Sequence, residues 1–192
     1  MNPIKINLTE TALVLIDLQK GIVGMPLAPY SGDAVTANAV KLADRFRAAK
    51  APVILVRVSF SADWGDALKL EVDQPASMGS LPPDWAEIVP ELGPAPADIV
   101  ITKRQWGAFH GTEMDLQLRR RGIKRIVLGG IATHIGVEST ARAAHEHGYA
   151  QVFAEDAMTS LSAETHAFSI AHILPRLGLV RSTEEVLAGC GS

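Results

Sequence analysis

The chain has 192 residues, of which 47% are hydrophobic and 20% charged, a composition that excludes a disordered or fibrous protein. Its formal net charge of −3 excludes a strongly basic protein, so we expect no nucleic acid partner. The single cysteine excludes an internal disulfide, and no apolar run approaches the roughly 20 residues that span a bilayer. Since the first residues also lack a signal-peptide pattern, we expect a cytoplasmic protein with no membrane partner.

Short apolar runs along the chain predict the strands of a sheet. Each run is apolar along its whole length instead of alternating with polar residues, which is typical of strands buried on both faces of a parallel sheet. The predicted strands cover residues 11–16, 52–58, 98–101, 125–129, 150–154 and 179–180.

Segments with helical periodicity separate these strands, at residues 33–50, 112–121, 136–147, 163–174 and 183–187. Residue types that favour N-cap positions stand near three of the helix starts, namely Asp33, Thr112 and Ser182. Ser182 and Glu185 have the spacing of a capping box, and Gly122 and Gly148 fall where helices should end. Alternating strands and helices predict one α/β domain over residues 1–192, a three-layer α/β/α sandwich with a central, mainly parallel six-stranded sheet.

A long segment with little periodicity, residues 60–97, interrupts this alternation. Loops of such length in a compact domain are usually functional or form an interface. Trp64 and Trp85 lie in this segment, and they could either cover a pocket or contact another subunit.

Polar residues follow two of the predicted strands. Asp17 comes directly after the first strand and Lys103 closely follows the third. Ligands of parallel sheets bind at the carboxyl ends of the strands, where a partly buried carboxyl group has a raised pKa suited to acid–base work. Taken singly, Asp17 could be a loop-capping residue and Lys103 a solvated strand-end lysine.

A segment of small residues after the fourth strand, 129–142, joins that strand to a helix. A helix N-terminus offers backbone N–H groups that can bind an anion or an oxyanion, although tight packing alone would also explain the small residues.

Together, Asp17, Lys103 and the Gly130-Ile131-Ala132-Thr133 turn resemble the isochorismatase-like hydrolases. Further matches are Leu13–Gln19, Lys103–Phe109 and Phe153–Ala157, so that the resemblance extends over nearly the whole chain. It implies the Rossmann-like fold of that superfamily, a non-proline cis peptide at Ile131–Ala132 and a homodimer or homotetramer.

The resemblance also indicates what is missing. Cysteine-using members, such as nicotinamidases and N-carbamoyl amidases, carry Gly-x-Ala-Thr-x-x-Cys, and Gly136 stands at the cysteine position here. A glycine cannot form an acyl-enzyme. Ser139 and Thr140 lie nearly a helical turn further on, and Cys190 lies near the C-terminus, so we expect none of them to replace the thiol.

The metal ligands of nicotinamidases are absent as well. Those enzymes carry Asp-x-His after the second strand, where this chain reads Arg57-Val58-Ser59, and its histidines form no zinc-like spacing. We therefore predict neither a metal nor another cofactor.

A glycine at this position is typical of the isochorismatases and related vinyl ether hydrolases, whose His-Ile-Gly matches His134-Ile135-Gly136. In those enzymes a protonated aspartate, here Asp17, protonates the vinyl ether, and water completes the hydrolysis. Isochorismatases, however, have a Tyr before an Ala-His pair where this chain has Ala132-Thr133, so isochorismate itself is not implied.

We assign a small-molecule substrate to residues around these motifs. Lys103 and Arg57 would bind its carboxylates. Trp106 and Phe109 would wall the pocket, although core packing is the alternative for Phe109. The remaining predicted substrate-binding residues are Gln19, Ala132, Thr133, His134 and Ile135.

Two functions from different classes stay open at this point. The first is a non-covalent, metal-independent hydrolase of a small carboxylated substrate, such as a vinyl ether. The second is a catalytically silent relative that binds a small molecule or a partner protein. A dinucleotide-binding domain is disfavoured because no Gly-x-Gly-x-x-Gly follows the first strand.

Overall fold

The computed structural model describes residues 4–75 and 79–191, and a six-stranded sheet lies at its centre. The strands are β1 (Thr11–Ile16), β2 (Val53–Val58), β3 (Ile99–Lys103), β4 (Arg125–Ile131), β5 (Ala150–Thr159) and β6 (Leu179–Arg181). They lie in the order β3-β2-β1-β4-β5-β6, and every neighbouring pair is parallel. The predicted α/β class and six-stranded sheet are confirmed.

Helices cover both faces of this sheet. They are α1 (Lys20–Val23), α2 (Gly32–Ala48), α3 (Met114–Arg120), α4 (Glu138–Glu146), α5 (Ala163–Phe168) and α6 (Thr183–Gly189). A π-helical turn, Thr133–Val137, leads directly into α4, and a second π turn, Ser169–Ile173, continues α5. Within the two described ranges, no helix is long and apolar enough to cross a membrane.

The continuous apolar sequence of β1 is explained by burial on both sides. Leu13 and Leu15 pack with α2 and α6 in one hydrophobic cluster, whereas Val14 and Ile16 pack with α3 and α4 in the other. Successive strand residues point to opposite faces, so a central strand needs apolar residues at every position.

Some predicted boundaries were wrong because hydrogen bonds, not periodicity, decide them. The N-cap of α2 is Ser31, whose side chain accepts a hydrogen bond from the Ala34 N–H at 3.2 Å, and Asp33 lies in the first turn instead. Glu113 occupies the cap position of α3, although the Thr112 hydroxyl accepts a hydrogen bond from the Met114 N–H at 3.1 Å. The capping box of Ser182 and Glu185 is present as predicted.

The strand order places a crevice at the centre of the sheet. From β1 the chain builds the sheet outward through β2 and β3, and then in the other direction through β4, β5 and β6. Where the order reverses, the loops after β1 and β4 diverge and leave room for a ligand at the carboxyl ends of the strands. This crevice lies beyond Ile16 and Ile131.

Gly130 allows β4 to pass close to β1. Its φ is +115°, and an added Cβ would lie 2.1 Å from the carbonyl oxygen of Ile16. We expect Gly130→Ala to lower the free energy of unfolding by more than about 3 kcal/mol, because backbone strain and overlap add. Gly122→Ala is the matched control: its φ is +67° but no atom lies within 4 Å, so it should cost about 1 kcal/mol. Urea unfolding measures both, and equal losses would contradict this account.

Candidate active site

Asp17 extends from the end of β1 into the crevice. Its backbone N–H still donates to the Val56 carbonyl oxygen at 2.8 Å, but its φ of +53° turns the chain away from the sheet. Aspartate is one of the few residues other than glycine that adopt this left-handed conformation readily. The turn therefore ends the strand and directs a carboxyl group to the edge where ligands bind.

Lys103, the last residue of β3, forms a buried ion pair with this carboxyl group. Its Nζ lies 2.7 Å from Asp17 Oδ2 and also donates to the Gln105 carbonyl oxygen at 3.1 Å. The side chains of Lys103 and Asp17 are only 2% and 7% exposed. Strand β2 lies between their strands, so the lysine reaches across its end.

Burial is the largest influence on the acidity of Asp17. It raises the pKa of the carboxyl group from 3.8 to about 6, although the charge and hydrogen bond of Lys103 oppose the shift. The second oxygen, Oδ1, is buried and has no hydrogen-bond partner among residues 4–75 and 79–191. A buried carboxyl oxygen without a partner can interact with a bound molecule.

Gly136 lies directly against Asp17. In the π turn after β4, an added Cβ at this position would lie 3.4 Å from Asp17 Oδ2 and 3.5 Å from the Trp106 carbonyl oxygen. A side chain at residue 136 would thus contact the carboxyl group, and the glycine leaves that space open. The cis peptide bond expected at Ile131–Ala132 is present just before the turn.

These groups line a cavity of about 390 Å³. Most of its lining is apolar, and residues of the 60–97 segment form a large part of its wall, including Trp64 and Trp85. Its other lining residues are Ile22, Met25, Val58, Phe60, Ala67, Leu68, Leu81, Arg104, Gln105, Trp106, Ile131, Ala132, Ile135 and Leu161, besides Asp17, Lys103 and Gly136.

Comparison with known proteins identifies this arrangement. A model described as the isochorismatase domain matches residues 11–185. The chain belongs to the isochorismatase family. It is 54% identical over 184 residues to the isochorismatase family protein YecD of Escherichia coli O157:H7, a match that covers 96% of this chain and 98% of that protein.

Two further similarities support the same assignment. An isochorismatase family protein from Burkholderia thailandensis has a structure with a TM-score of 0.95 to this chain at 48% identity, covering 100% of both chains. The ureidoacrylate amidohydrolase RutB of Agrobacterium fabrum is 36% identical over 179 residues, covering 81% of this chain and 78% of that enzyme. The chain is accordingly a hydrolase of the isochorismatase family.

The structure brings only part of the predicted isochorismatase-like site together. Asp17, Lys103 and Gly136 meet at the cavity, as do the predicted substrate-binding residues Trp106, Ala132 and Ile135. The cavity is not lined by Gln19, Arg57, Phe109, Thr133 or His134.

The side chains of Arg57 and Gln19 form hydrogen bonds with other residues beside the cavity. Val58 lines the cavity, so Arg57, the preceding residue of β2, points to the opposite face, where its Nε donates to Thr102 Oγ1 at 3.1 Å. Gln19 is fully buried, and its amide group bonds the backbone N–H of Val58 at 2.9 Å and the backbone oxygens of Val58 and Trp85 at 3.1 and 3.2 Å. It thereby ties the ends of two strands to the long segment.

Phe109, Thr133 and His134 stabilise the structure around the site. Phe109 is buried in the core, and its ring stacks on His147 at a centroid distance of 5.0 Å. This position agrees with core packing, the alternative role that the sequence left open for Phe109. The Thr133 hydroxyl donates to the Thr159 carbonyl oxygen at 3.0 Å, and His134 Nδ1 bonds the Ser160 hydroxyl. Both side chains therefore anchor the turn to the end of β5.

Sequence reasoning missed Arg104 and Phe60 as cavity residues. Arg104 directly follows Lys103, the last residue of β3, and this position at the carboxyl end of a strand could have indicated a cavity residue. Phe60 had no such signal because it begins the aperiodic segment. In the part of the chain that the structure describes, no three His, Cys, Asp or Glu side chains are arranged to hold a metal ion.

Proposed function

We propose that this hydrolase cleaves a small carboxylated substrate by acid–base chemistry of Asp17, without a covalent intermediate and without a metal. The observation that carries the proposal is a buried carboxyl group with a raised pKa, facing an apolar cavity beside a glycine. Since Gly136 offers no nucleophile, the acyl-enzyme route of cysteine-using relatives has no starting group here.

A vinyl ether is the bond that this arrangement suits best. Protonated Asp17 delivers its proton to the methylene carbon, which leaves an oxocarbenium ion that the apolar cavity shields from competing nucleophiles. Water adds to that ion and returns a proton to the Asp17 carboxylate. The resulting hemiketal then separates into an alcohol and a carbonyl compound, so that protons and oxygen balance.

Lys103 acts on Asp17 in this scheme and not primarily on the substrate. Its ammonium group is 2.7 Å from Oδ2 and stabilises the carboxylate that remains after the proton has left. The same contact holds the carboxyl group in one orientation. Asp17 regains its proton in every turnover from the water that adds to the oxocarbenium ion.

The test is a hydrolysis screen that compares three bond types in compounds of similar size. We expect turnover of 2-alkoxyacrylates, which are carboxylated vinyl ethers, and none of N-carbamoylglycine or benzamide. Release of the alcohol and the 2-oxo acid measures the reaction. Cleavage of the amides without cleavage of the vinyl ethers would overturn the proposed mechanism.

The pH dependence of this reaction gives a second test. Asp17 works as an acid, so the active form is the protonated one, present below its pKa of about 6 and lost as the pH rises through that value. We expect kcat/KM on a 2-alkoxyacrylate to be level below pH 5 and to fall roughly 100-fold from that level by pH 8. A rate that rises between pH 5 and pH 8 would identify Asp17 as a base instead.

A further inference from the structure

Among the residues that the structure describes, three charged side chains line the cavity, and each of them takes part in an ion pair. Asp17 and Lys103 form the 2.7 Å ion pair, and Lys103 has a further acceptor in the Gln105 carbonyl oxygen. The third is Arg104, whose Nε contacts Asp66 Oδ2. Asp66 is not a lining residue, but it balances the charge of Arg104, so what this arginine offers the cavity is guanidinium N–H donors and not an excess of charge. Guanidinium donors favour a ligand with paired acceptor oxygens, such as a carboxylate.

Arg104 has donors to spare for that ligand. Its Nε is engaged by Asp66, and its Nη1 donates to the Lys103 carbonyl oxygen at 3.3 Å, a long contact. Its Nη2 has no hydrogen-bond partner in residues 4–75 and 79–191. The side chain is 39% exposed, so an incoming carboxylate can reach the guanidinium group. Charge-assisted bonds of this kind are stronger than bonds between neutral groups.

Aromatic rings border the rest of the cavity. The chain has three tryptophans, and all of them, Trp64, Trp85 and Trp106, are lining residues. Phe60 lies beside Trp64, with a distance of 5.0 Å between the ring centroids. Flat aromatic faces pack well against a flat apolar body, whereas they offer few polar partners to a sugar-like one.

We propose that Arg104 binds the carboxylate of the substrate and that the substrate is a small carboxylate with a flat apolar body. The assignment rests on the proposed function in one respect, because it takes this cavity as the substrate site. Lys103 serves less well, since two of its three ammonium donors are engaged by Asp17 and Gln105 and its side chain is buried, and Arg57 points to the other face of β2. Asp66 orients Arg104 by holding its Nε edge.

Binding of benzoate and benzamide tests the proposal without turnover. The two compounds have nearly the same shape, but only benzoate carries a charge. Every tryptophan lines the cavity, so tryptophan fluorescence excited at 295 nm reports its occupancy directly. We expect saturable binding of benzoate that is at least tenfold tighter than that of benzamide.

Substitution of Arg104 then identifies the residue responsible. We expect Arg104→Gln to weaken benzoate binding by on the order of 10- to 100-fold and to leave benzamide binding unchanged. Arg104→Lys, which keeps the charge but loses the planar fork, should lose less. Arg121→Gln removes a surface arginine that contacts Gln117 and serves as the matched control with wild-type affinities.

Each outcome decides the matter. Equal affinities of benzoate and benzamide, or no saturable benzoate binding, would overturn the proposal. A parallel loss of both ligands in Arg104→Gln would also overturn it, by assigning Arg104 to holding the 60–97 segment through Asp66. If Arg104→Gln still prefers benzoate while hydrolysis depends on Asp17, Arg104 does not bind the carboxylate and the proposed function stands. If the preference for benzoate depends on Arg104 but no compound is hydrolysed, carboxylate binding by Arg104 stands and the proposed function fails.

Discussion

Replacing Asp17 by Asn is expected to lower kcat by on the order of 10³-fold while the chain still folds. The amide has nearly the shape of the carboxyl group, and asparagine also tolerates the positive φ of +53° at this position. Its oxygen can accept the hydrogen bond from Lys103 Nζ. What the variant lacks is a proton that it can transfer, and the predicted mechanism begins with that transfer.

Binding and catalysis should separate in this variant. Benzoate affinity should be at least that of wild type, since Arg104 and the tryptophans are untouched and Lys103 loses its counter-charge, whereas kcat for a 2-alkoxyacrylate should fall on the order of 10³-fold. Asp44→Asn is the matched control, because Asp44 is a surface residue whose side chain is 68% exposed and forms an ion pair with Arg47. Circular dichroism verifies the fold of each variant. Full activity of Asp17→Asn would remove this carboxyl group from the mechanism.

The part of the site that could be predicted from sequence is the part that the strand ends determine. Asp17 and Lys103 are far apart in the chain, but parallel strands bring their carboxyl ends to one edge of the sheet. The apolar runs of β1 and β3 therefore predicted that these two side chains would lie at the same edge. Gly136 was placed beside them by the resemblance to the cysteine-using hydrolases, whose cysteine stands at that position of the turn after β4.

Some site residues could not be predicted because the sequence does not show which face of the sheet their side chains point to. Arg57 and Val58 are neighbours at the end of β2, and a shift of one residue in the strand exchanges which of them faces the cavity. The apolar sequence of β2 is consistent with either Arg57 or Val58 facing the cavity. A charged residue at a strand end suggested a ligand, yet its partners proved to be Thr102 and the Ala86 carbonyl oxygen.

The 60–97 segment limited prediction for a different reason. Its residues form no helix or strand among those described between Val58 and Ile99, so periodicity says nothing about which side chains face inward. Backbone hydrogen bonds to the segment after β1 hold part of it instead, such as Lys20 N–H to the Glu87 oxygen at 2.9 Å. Tertiary contacts of this kind have no local signature, and they place Trp85 in the cavity wall.

Introducing a thiol at the cysteine position should create a reactive group where wild type has none. In Gly136→Cys the new Cβ lies 3.4 Å from Asp17 Oδ2, so the sulfur falls within reach of a carboxylate that can accept its proton. The closest contact is 3.0 Å to Ile16 Cγ2, which a small shift of that methyl group relieves. We expect iodoacetamide to alkylate residue 136 at least about 100-fold faster than Cys190, measured by mass spectrometry.

Two comparisons isolate the contribution of Asp17 to this reactivity. Wild type carries Cys190 alone, which is buried and whose pKa burial raises, so it gives the background rate. Gly24→Cys places a thiol where the nearest atom to the new Cβ is the Lys20 carbonyl oxygen at 3.6 Å, and no carboxylate oxygen of a described residue lies within 4 Å of that Cβ. Adding Asp17→Asn should slow alkylation at residue 136 and leave that at residue 24 unchanged.

Such a result would locate the difference between the two chemistries of the family in one side chain. If the carboxyl group, the lysine and the turn still activate a thiol, the same three elements support either acyl transfer or proton transfer to carbon, and residue 136 selects between them. Equal rates at residues 136 and 24, both insensitive to Asp17→Asn, would instead mean that the carboxyl group does not act on its neighbour. The proposed acid role of Asp17 would then lose its geometric basis.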